Sequence, residues 1–200
     1  MIVIGIVGGI GTGKTEVLHL LERRGARVVA ADELSREVLA PGQPALQQVR
    51  QAFGDGYFDA RGQLCRRELG ELIFRDEVAR RRLDGIVHPL MTEALGRRLR
   101  EWEAQGVAVA VVESAVLGEM GARPLVDRVI RVTASEQARL ARLMARDGMT
   151  EPEARSRLEA HRRLGLDEGP ADHLIANEGS PEELSQQVEQ LWGELVYYSA

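Results

Sequence analysis

The chain has 200 residues, 44% of them hydrophobic, which suits one sizeable core in a single domain, with or without an insertion, better than two independent domains. Against 31 acidic residues stand 26 basic ones, a net charge of -5, so the footprint of a nucleic-acid binder is missing and any basic site has to be local. Met1–Ile6 is apolar but lacks a basic n-region, no later run approaches transmembrane length, and the lone Cys65 has no intrachain disulfide partner, so a cytoplasmic protein away from membranes, monomeric or weakly oligomeric, is expected.

Ile2–Val7 reads as a buried first strand. Lys14–Arg24 reads as a helix that turns Val17, Leu18, Leu20 and Leu21 inward, and Arg27–Ala31 as a second strand. From Glu33 to about Gln105 the pattern is helical, broken at Pro41-Gly42, at Gly54-Asp55-Gly56 and at Gly62. Val107–Val112 is a β-branched and alanine run suited to a central parallel strand, and Arg128–Thr133 is another strand beside the first. Ser135 caps a helix running to about Arg146, which Asp147-Gly148 ends, and Thr150 with Glu153 opens an arginine-bearing helix. His173–Ala176 is a short last strand, and Ser180 with Glu183 caps a closing helix that carries Leu184, Val188, Leu191, Trp192 and Leu195. The alternation of strands and helices predicts an α/β protein with a parallel sheet.

Between the first strand and its helix stands Gly8-Gly9-Ile10-Gly11-Thr12-Gly13-Lys14-Thr15, which satisfies G-x-x-x-x-G-K-[ST] in the strand-to-helix context the motif requires. Glycines let successive N–H groups face one anion, the helix N-terminus adds its partial positive charge, Lys14 reaches the β and γ phosphates of a nucleotide, and Thr15 offers a hydroxyl to Mg2+. Lys14 is the only lysine; the other 25 basic residues are arginines, so its role is one arginine does not fill. A switch GTPase needs a second lysine in its guanine-reading motif and has none here. A motor ATPase ends a hydrophobic strand in Asp-Glu, whereas Val107–Val112 ends in Glu113-Ser114. A small-molecule kinase needs an acceptor site, a base and arginines that close over the migrating phosphoryl group.

The ordered segments GIVGGIGTGKT, VVAADELSREV, PGQPAL, RRELGELIF, HPL, ESAVLGE, DRVIRV, RLMARDGMT and ADHLIANEGSPEEL resemble the dephospho-CoA kinase family over about Ile2 to Trp192. The resemblance implies a three-layer P-loop kinase fold with a parallel five-stranded sheet, a helical acceptor-binding insertion over 33–105 and a helical lid over 139–168. It implies ATP-dependent phosphorylation of the ribose 3′-hydroxyl of dephospho-CoA, with Mg2+ and ATP. By the same resemblance Gly9, Ile10, Gly11, Thr12, Gly13, Lys14, Thr15 and Asn177 bind ATP, Asp32 is the base, and Arg142 and Arg146, spaced i to i+4, serve the phosphates, with Arg146 the better placed. The acceptor is expected at Asp32, Arg36, Arg66, His88 and Glu113. Asp32 also reads as the N-cap of a helix beginning near Glu33, Arg36 one turn on as its possible ion partner, and His88 before Pro89 as a helix-boundary residue.

The sequence departs from the family pattern in three places. Ala30 stands for the first aspartate of a D-A-D segment, Ala115-Val116-Leu117-Gly118-Glu119 for P-L-L-F-E, and His161 for a glutamine of the lid. These departures leave open a kinase for another small metabolite or nucleotide, or a nucleotide-binding regulator without turnover.

Overall fold

The computed structural model describes residues 1–163, 165 and 170–197, the side chains of the last two excepted, so positions 164 and 166–168 of the expected lid lie outside the described residues. Apolar β-branched runs form five strands, β1 (Ile2–Val7), β2 (Arg27–Ala30), β3 (Val109–Glu113), β4 (Arg128–Thr133) and β5 (His173–Ala176). They pair in parallel in the order β2-β3-β1-β4-β5. Each strand but the outer two is buried on both faces, which is why their sequences run apolar without alternating.

One face packs Ile4, Ile6, Val109, Val111, Ile130, Val132 and Ile175 against helix α1 (Lys14–Glu22) and the closing helix α8 (Pro181–Tyr197). The other packs Val3, Val7, Val29, Ala110, Val112 and Val129 beneath α2 (Ala31–Val38), α3 (Pro44–Phe53), α4 (Arg66–Arg75) and α5 (Glu77–Ala104). A separate apolar cluster of Leu140, Leu143, Ala154 and Leu158 joins α6 (Glu136–Asp147) to α7 (Glu151–Arg163). The result is a three-layer α/β sandwich with a five-stranded parallel sheet: the parallel sheet is what the alternation predicts, and the three layers and five strands are what the resemblance implies. Among the described residues no helix is long and apolar enough to cross a membrane.

The caps read from the sequence form. The Ser135 hydroxyl accepts from the Ala138 N–H at 3.3 Å, the Glu153 carboxylate from the Thr150 N–H at 2.8 Å, and Ser180 and Glu183 bond each other reciprocally. β2 ends at Ala30, one residue before expectation, β3 ends at Glu113, one residue beyond it, and four further readings differ. β3 starts at Val109 because its pairing with β1 begins there, while the Val107 N–H is tied back to the Trp102 carbonyl at the end of α5. α1 stops at Glu22, since Gly25 at φ 98° and the Ala26 N–H, bonded to the Leu21 carbonyl, turn the chain into β2. α2 begins at Ala31 with Ala30 as its N-cap, so Asp32 sits inside the first turn and caps nothing. His88-Pro89 is no boundary: both lie inside the 28-residue α5. A proline there removes the bond to the carbonyl four residues back and crowds it. That residue is Gly85, which has open space around it, and burial of Val87, Met91, Leu95 and Leu99 on the sheet outweighs the loss.

Candidate active site

The glycine loop leaves β1 at the carboxyl edge of the sheet, the edge where open α/β sheets bind ligands. Its glycines are required by contact as well as by conformation. A side chain at Gly8 would lie 2.5 Å from the Val132 carbonyl oxygen, and one at Gly13, the left-handed N-cap of α1 at φ 90°, would lie 2.0 Å from Asn177 Nδ2.

Every carbonyl from Gly8 to Gly13 accepts a hydrogen bond. Lys14 Nζ donates to Gly8 and Gly9 at 3.0 and 3.2 Å, and the buried Thr12 hydroxyl also donates to Gly9 at 3.0 Å. Arg139 Nε donates to Ile10 at 2.8 Å. Arg142 donates to Gly11 at 3.1 Å and to Thr12 at 3.2 Å, Asn177 Nδ2 donates to Thr12 at 3.0 Å, and the Val17 N–H reaches Gly13. Among the described residues the N–H groups of Gly9, Ile10, Gly11 and Gly13 donate to no protein acceptor. The carbonyls are therefore engaged by protein donors, and the amide donors of the loop and of the first turn of α1 are left for an anion.

Those donors border a cavity of about 390 Å3 lined by Gly11, Gly13, Lys14, Thr15, Arg142 and Arg146. The Lys14 ammonium lies 3.6 Å from Glu113, the last residue of β3, which pairs with Ile6 of β1 and Ala30 of β2. Burial holds the Glu113 carboxyl above the usual carboxylate range, Lys14 opposes the shift, and the charge of Asp32 adds to it. Lys14, Thr15, Glu113 and Asp32 are thus gathered at one edge although Thr15 and Glu113 are 98 positions apart in the chain. Asp32 is exposed there, on the first turn of α2.

The two expected arginines of α6 behave differently. Arg142 spends its guanidinium on three carbonyls, the third being that of Asn177 at 2.8 Å. Arg146 is bonded twice by Asp147, at 2.7 and 2.8 Å, with its side chain 63% exposed at the cavity rim. Asn177 is itself buried, between Gly13 and a second cavity of about 590 Å3 whose walls include His19, Leu20, Arg23, Arg142 and Pro181. Ile10 packs its side chain against the apolar cluster of α6 and α7, and the buried Thr12, its hydroxyl on the Gly9 carbonyl, does not line the cavity.

Not all the expected residues meet. Arg36 is exposed and forms no ion pair with Asp32 or any other carboxylate among the described residues. Arg66 is exposed at the start of α4, and His88, 3.5 Å from Asp84, is packed along α5; neither lines the cavities described here. A cleft of about 840 Å3 between α4 and α7 is lined instead by Arg67, Phe74, Arg75, Ser156, Arg157 and His161. Sequence reasoning missed Arg139, which is buried and bonds the loop; its i to i+3 spacing from Arg142 was the available signal.

The residues fit a hard divalent cation held mainly through substrate phosphates, since the Thr15 hydroxyl is an oxygen ligand in the cavity wall and the Glu113 carboxylate lies 3.6 Å from Lys14 of the same wall. Among the described residues no cluster of three carboxylate, His or Cys side chains forms a protein-only cage.

A profile of the dephospho-CoA kinase family matches residues 2–183. The dephospho-CoA kinase of Geobacter sulfurreducens is 41% identical over 192 residues, covering 96% of this chain and 98% of that one. Among solved structures, TT1252 from Thermus thermophilus superposes with a TM-score of 0.77 at 29% identity, covering 97% of both chains. The dephospho-CoA kinase of Campylobacter jejuni gives 0.70 at 19% identity, covering 99% of this chain and 98% of that one, a likeness of fold. Shared segments that run the length of the chain, on a matching sheet and loop, place the chain in the dephospho-CoA kinase family.

Proposed function

We propose that this chain transfers the γ-phosphoryl group of ATP to the ribose 3′-hydroxyl of dephospho-CoA, giving coenzyme A and ADP. The observation that carries the phosphotransfer is the division of labour in the loop: its carbonyls from Gly8 to Gly13 are engaged, the amides of Gly9, Ile10, Gly11 and Gly13 donate to no protein acceptor among the described residues, and the loop borders a cavity that Lys14 also lines. Family membership supplies the acceptor.

The triphosphate lies along the loop, its β and γ groups neutralised by Lys14, and the adenine takes the cavity beside Asn177 and Arg142. Mg2+ would be held by the substrate phosphates together with Thr15 and Glu113, and would supply neutralisation of the phosphates' negative charge. Asp32, carried by α2 beside Glu113, accepts a hydrogen bond from the 3′-hydroxyl and aims its oxygen at the γ-phosphorus. As the new P–O bond forms, the bond to the β–γ bridging oxygen breaks, ADP keeps that electron pair, and the hydroxyl proton passes to Asp32 and on to water. Arg146 lies at the rim of the same cavity and exchanges Asp147 for the transferring group. The acceptor's long arm fits the α4–α7 cleft, where Phe74 gives an apolar surface and Arg75 and Arg157 give positive charge.

Purified protein, ATP, Mg2+ and dephospho-CoA, followed by mass spectrometry, test the reading. Coenzyme A formed by the parent protein and abolished by Lys14→Ala is the expected result. A folded, ATP-binding protein that forms none refutes it, and a panel of alternative acceptors then tests whether Ala115 to Gly118 has redirected the acceptor site.

A further inference from the structure

The base proposed above is presented by a helix of only eight residues whose N-cap, Ala30, supplies no side-chain bond. Its inner side is fixed by burial of Ala31, Leu34 and Val38. On its flank a single guanidinium from α5 spans one full turn: Arg98 donates through Nη1 to Glu33 at 2.6 Å and through Nη2 to Glu37 at 2.5 Å. The Arg98 side chain is 25% exposed against 55% for Glu33 and 41% for Glu37, so the guanidinium is the sheltered member of the fork.

We propose that Arg98 is a positioning residue that sets the roll of α2 and thereby the aim of Asp32. At roughly 100° per residue, Glu33 and Glu37 lie about 100° and 140° around the helix from Asp32, on the side that neither the apolar stripe nor the phosphate cavity controls. Two bonds one turn apart, made by one planar group, resist both rotation and sliding along the axis. A side-chain tip lies about 5–6 Å from a helix axis, so a roll of about 10° displaces it by ~1 Å. A displacement of that size at a reacting hydroxyl is enough to cost up to about 100-fold in rate. Arg98 thus acts through Asp32 without touching substrate. The inference rests on the assignment of Asp32 as the base.

Four proteins test it: the parent, Arg98→Met, Asp32→Asn and the double variant, with kcat and KM for CoA formation measured at high enzyme concentration by mass spectrometry. Asp32→Asn is expected to lower kcat by about 100-fold or more. Arg98→Met is expected to lower kcat about tenfold in the parent, to leave KM for ATP within about twofold, and to lower kcat no further in the Asp32→Asn background. Replacing both Glu33 and Glu37 by Gln should reproduce the Arg98→Met loss and add nothing to it, a control that stands if Arg98→Met folds poorly. Equal losses from Arg98→Met in both backgrounds, or full kcat in Arg98→Met, overturn the latch while leaving the base assignment intact. Full kcat in Asp32→Asn overturns the assignment and the latch together.

Discussion

Gly13→Ala probes the joint between the loop and the β5–α8 turn. Two terms set its magnitude. The left-handed conformation at φ 90° costs an alanine about 1–2 kcal/mol relative to glycine. The new methyl would stand 2.0 Å from Asn177 Nδ2, and Asn177 is 6% exposed, so its amide yields only by abandoning the 3.0 Å bond to the Thr12 carbonyl. An orphaned buried amide costs about 1–3 kcal/mol, so Gly13→Ala should destabilise by about 2–5 kcal/mol. Asn177→Ala alone loses the bond and should cost about 1–3 kcal/mol. In the double variant the clash is gone and the bond is lost once, so the two costs overlap by about 1–3 kcal/mol instead of adding. Urea unfolding of the four proteins measures the cycle, and ATP affinity reports the same loop independently. Additivity within about 0.5 kcal/mol, or a Gly13→Ala protein as stable as the parent, refutes the contact between the two residues.

Glu113→Gln addresses the raised carboxyl. Because burial holds its folded pKa above the unfolded value, the folded state binds more protons across that window, and stability falls as pH rises from the ordinary carboxylate value through the folded pKa. The stability advantage of Glu113→Gln over the parent should therefore grow with pH through that window, and parallel urea-unfolding curves over a pH series would contradict the assignment. Arg142→Met removes a guanidinium bonded to Gly11, Thr12 and Asn177 and should lower both stability, by about 1.5–3 kcal/mol, and ATP affinity. Arg146→Met, losing only its exposed pair with Asp147, should leave stability within about 0.5 kcal/mol while lowering kcat, which urea titration and turnover separate.

The sheet was legible because each strand is a short apolar run closed by residues that stop it. The bounds of β1, β4 and β5 are those read from the chain. The loop was legible because its glycines and Lys14 carry a fixed spacing. Local patterns failed where the deciding partner is remote. Nothing around Asp32 told that α2 starts two residues earlier, directly off β2, and Pro89 signalled a helix end until the burial of its neighbours on α5 is counted. Spacing on α6 placed Arg142 and Arg146 on one face but did not say that one spends its donors on the loop. Asn177 and Thr12 are 165 positions apart, and Arg98 lies 61 positions from Glu37, so neither contact has a signature within any window of the sequence.

A chain of net charge -5 that attracts two anionic substrates has to concentrate its positive field, and the arginines show how. On the outward helix faces they are neutralised one turn away: Arg81 by Glu77, Arg97 by Glu93, Arg155 by Glu151, and Arg163 by Glu159. Such pairs contribute little to stability and cancel in the far field. At the loop, Arg139 and Arg142 are bonded to carbonyls, which leaves their charge in place because a carbonyl is a dipole and carries no net charge. Around the α4–α7 cleft Arg75 and Arg157 have no carboxylate within ion-pair distance among the described residues, and the same holds for Arg36 beside Asp32. Exposed arginines elsewhere, such as Arg27, Arg61 and Arg100, also lack an ion pair among the described residues, so what marks the proposed site is the gathering of Arg142 and Arg146 beside Lys14 and of Arg75 and Arg157 at the cleft. That distribution needs no excess of basic residues, which is why overall composition excluded one class of partner without revealing the one the site is built for.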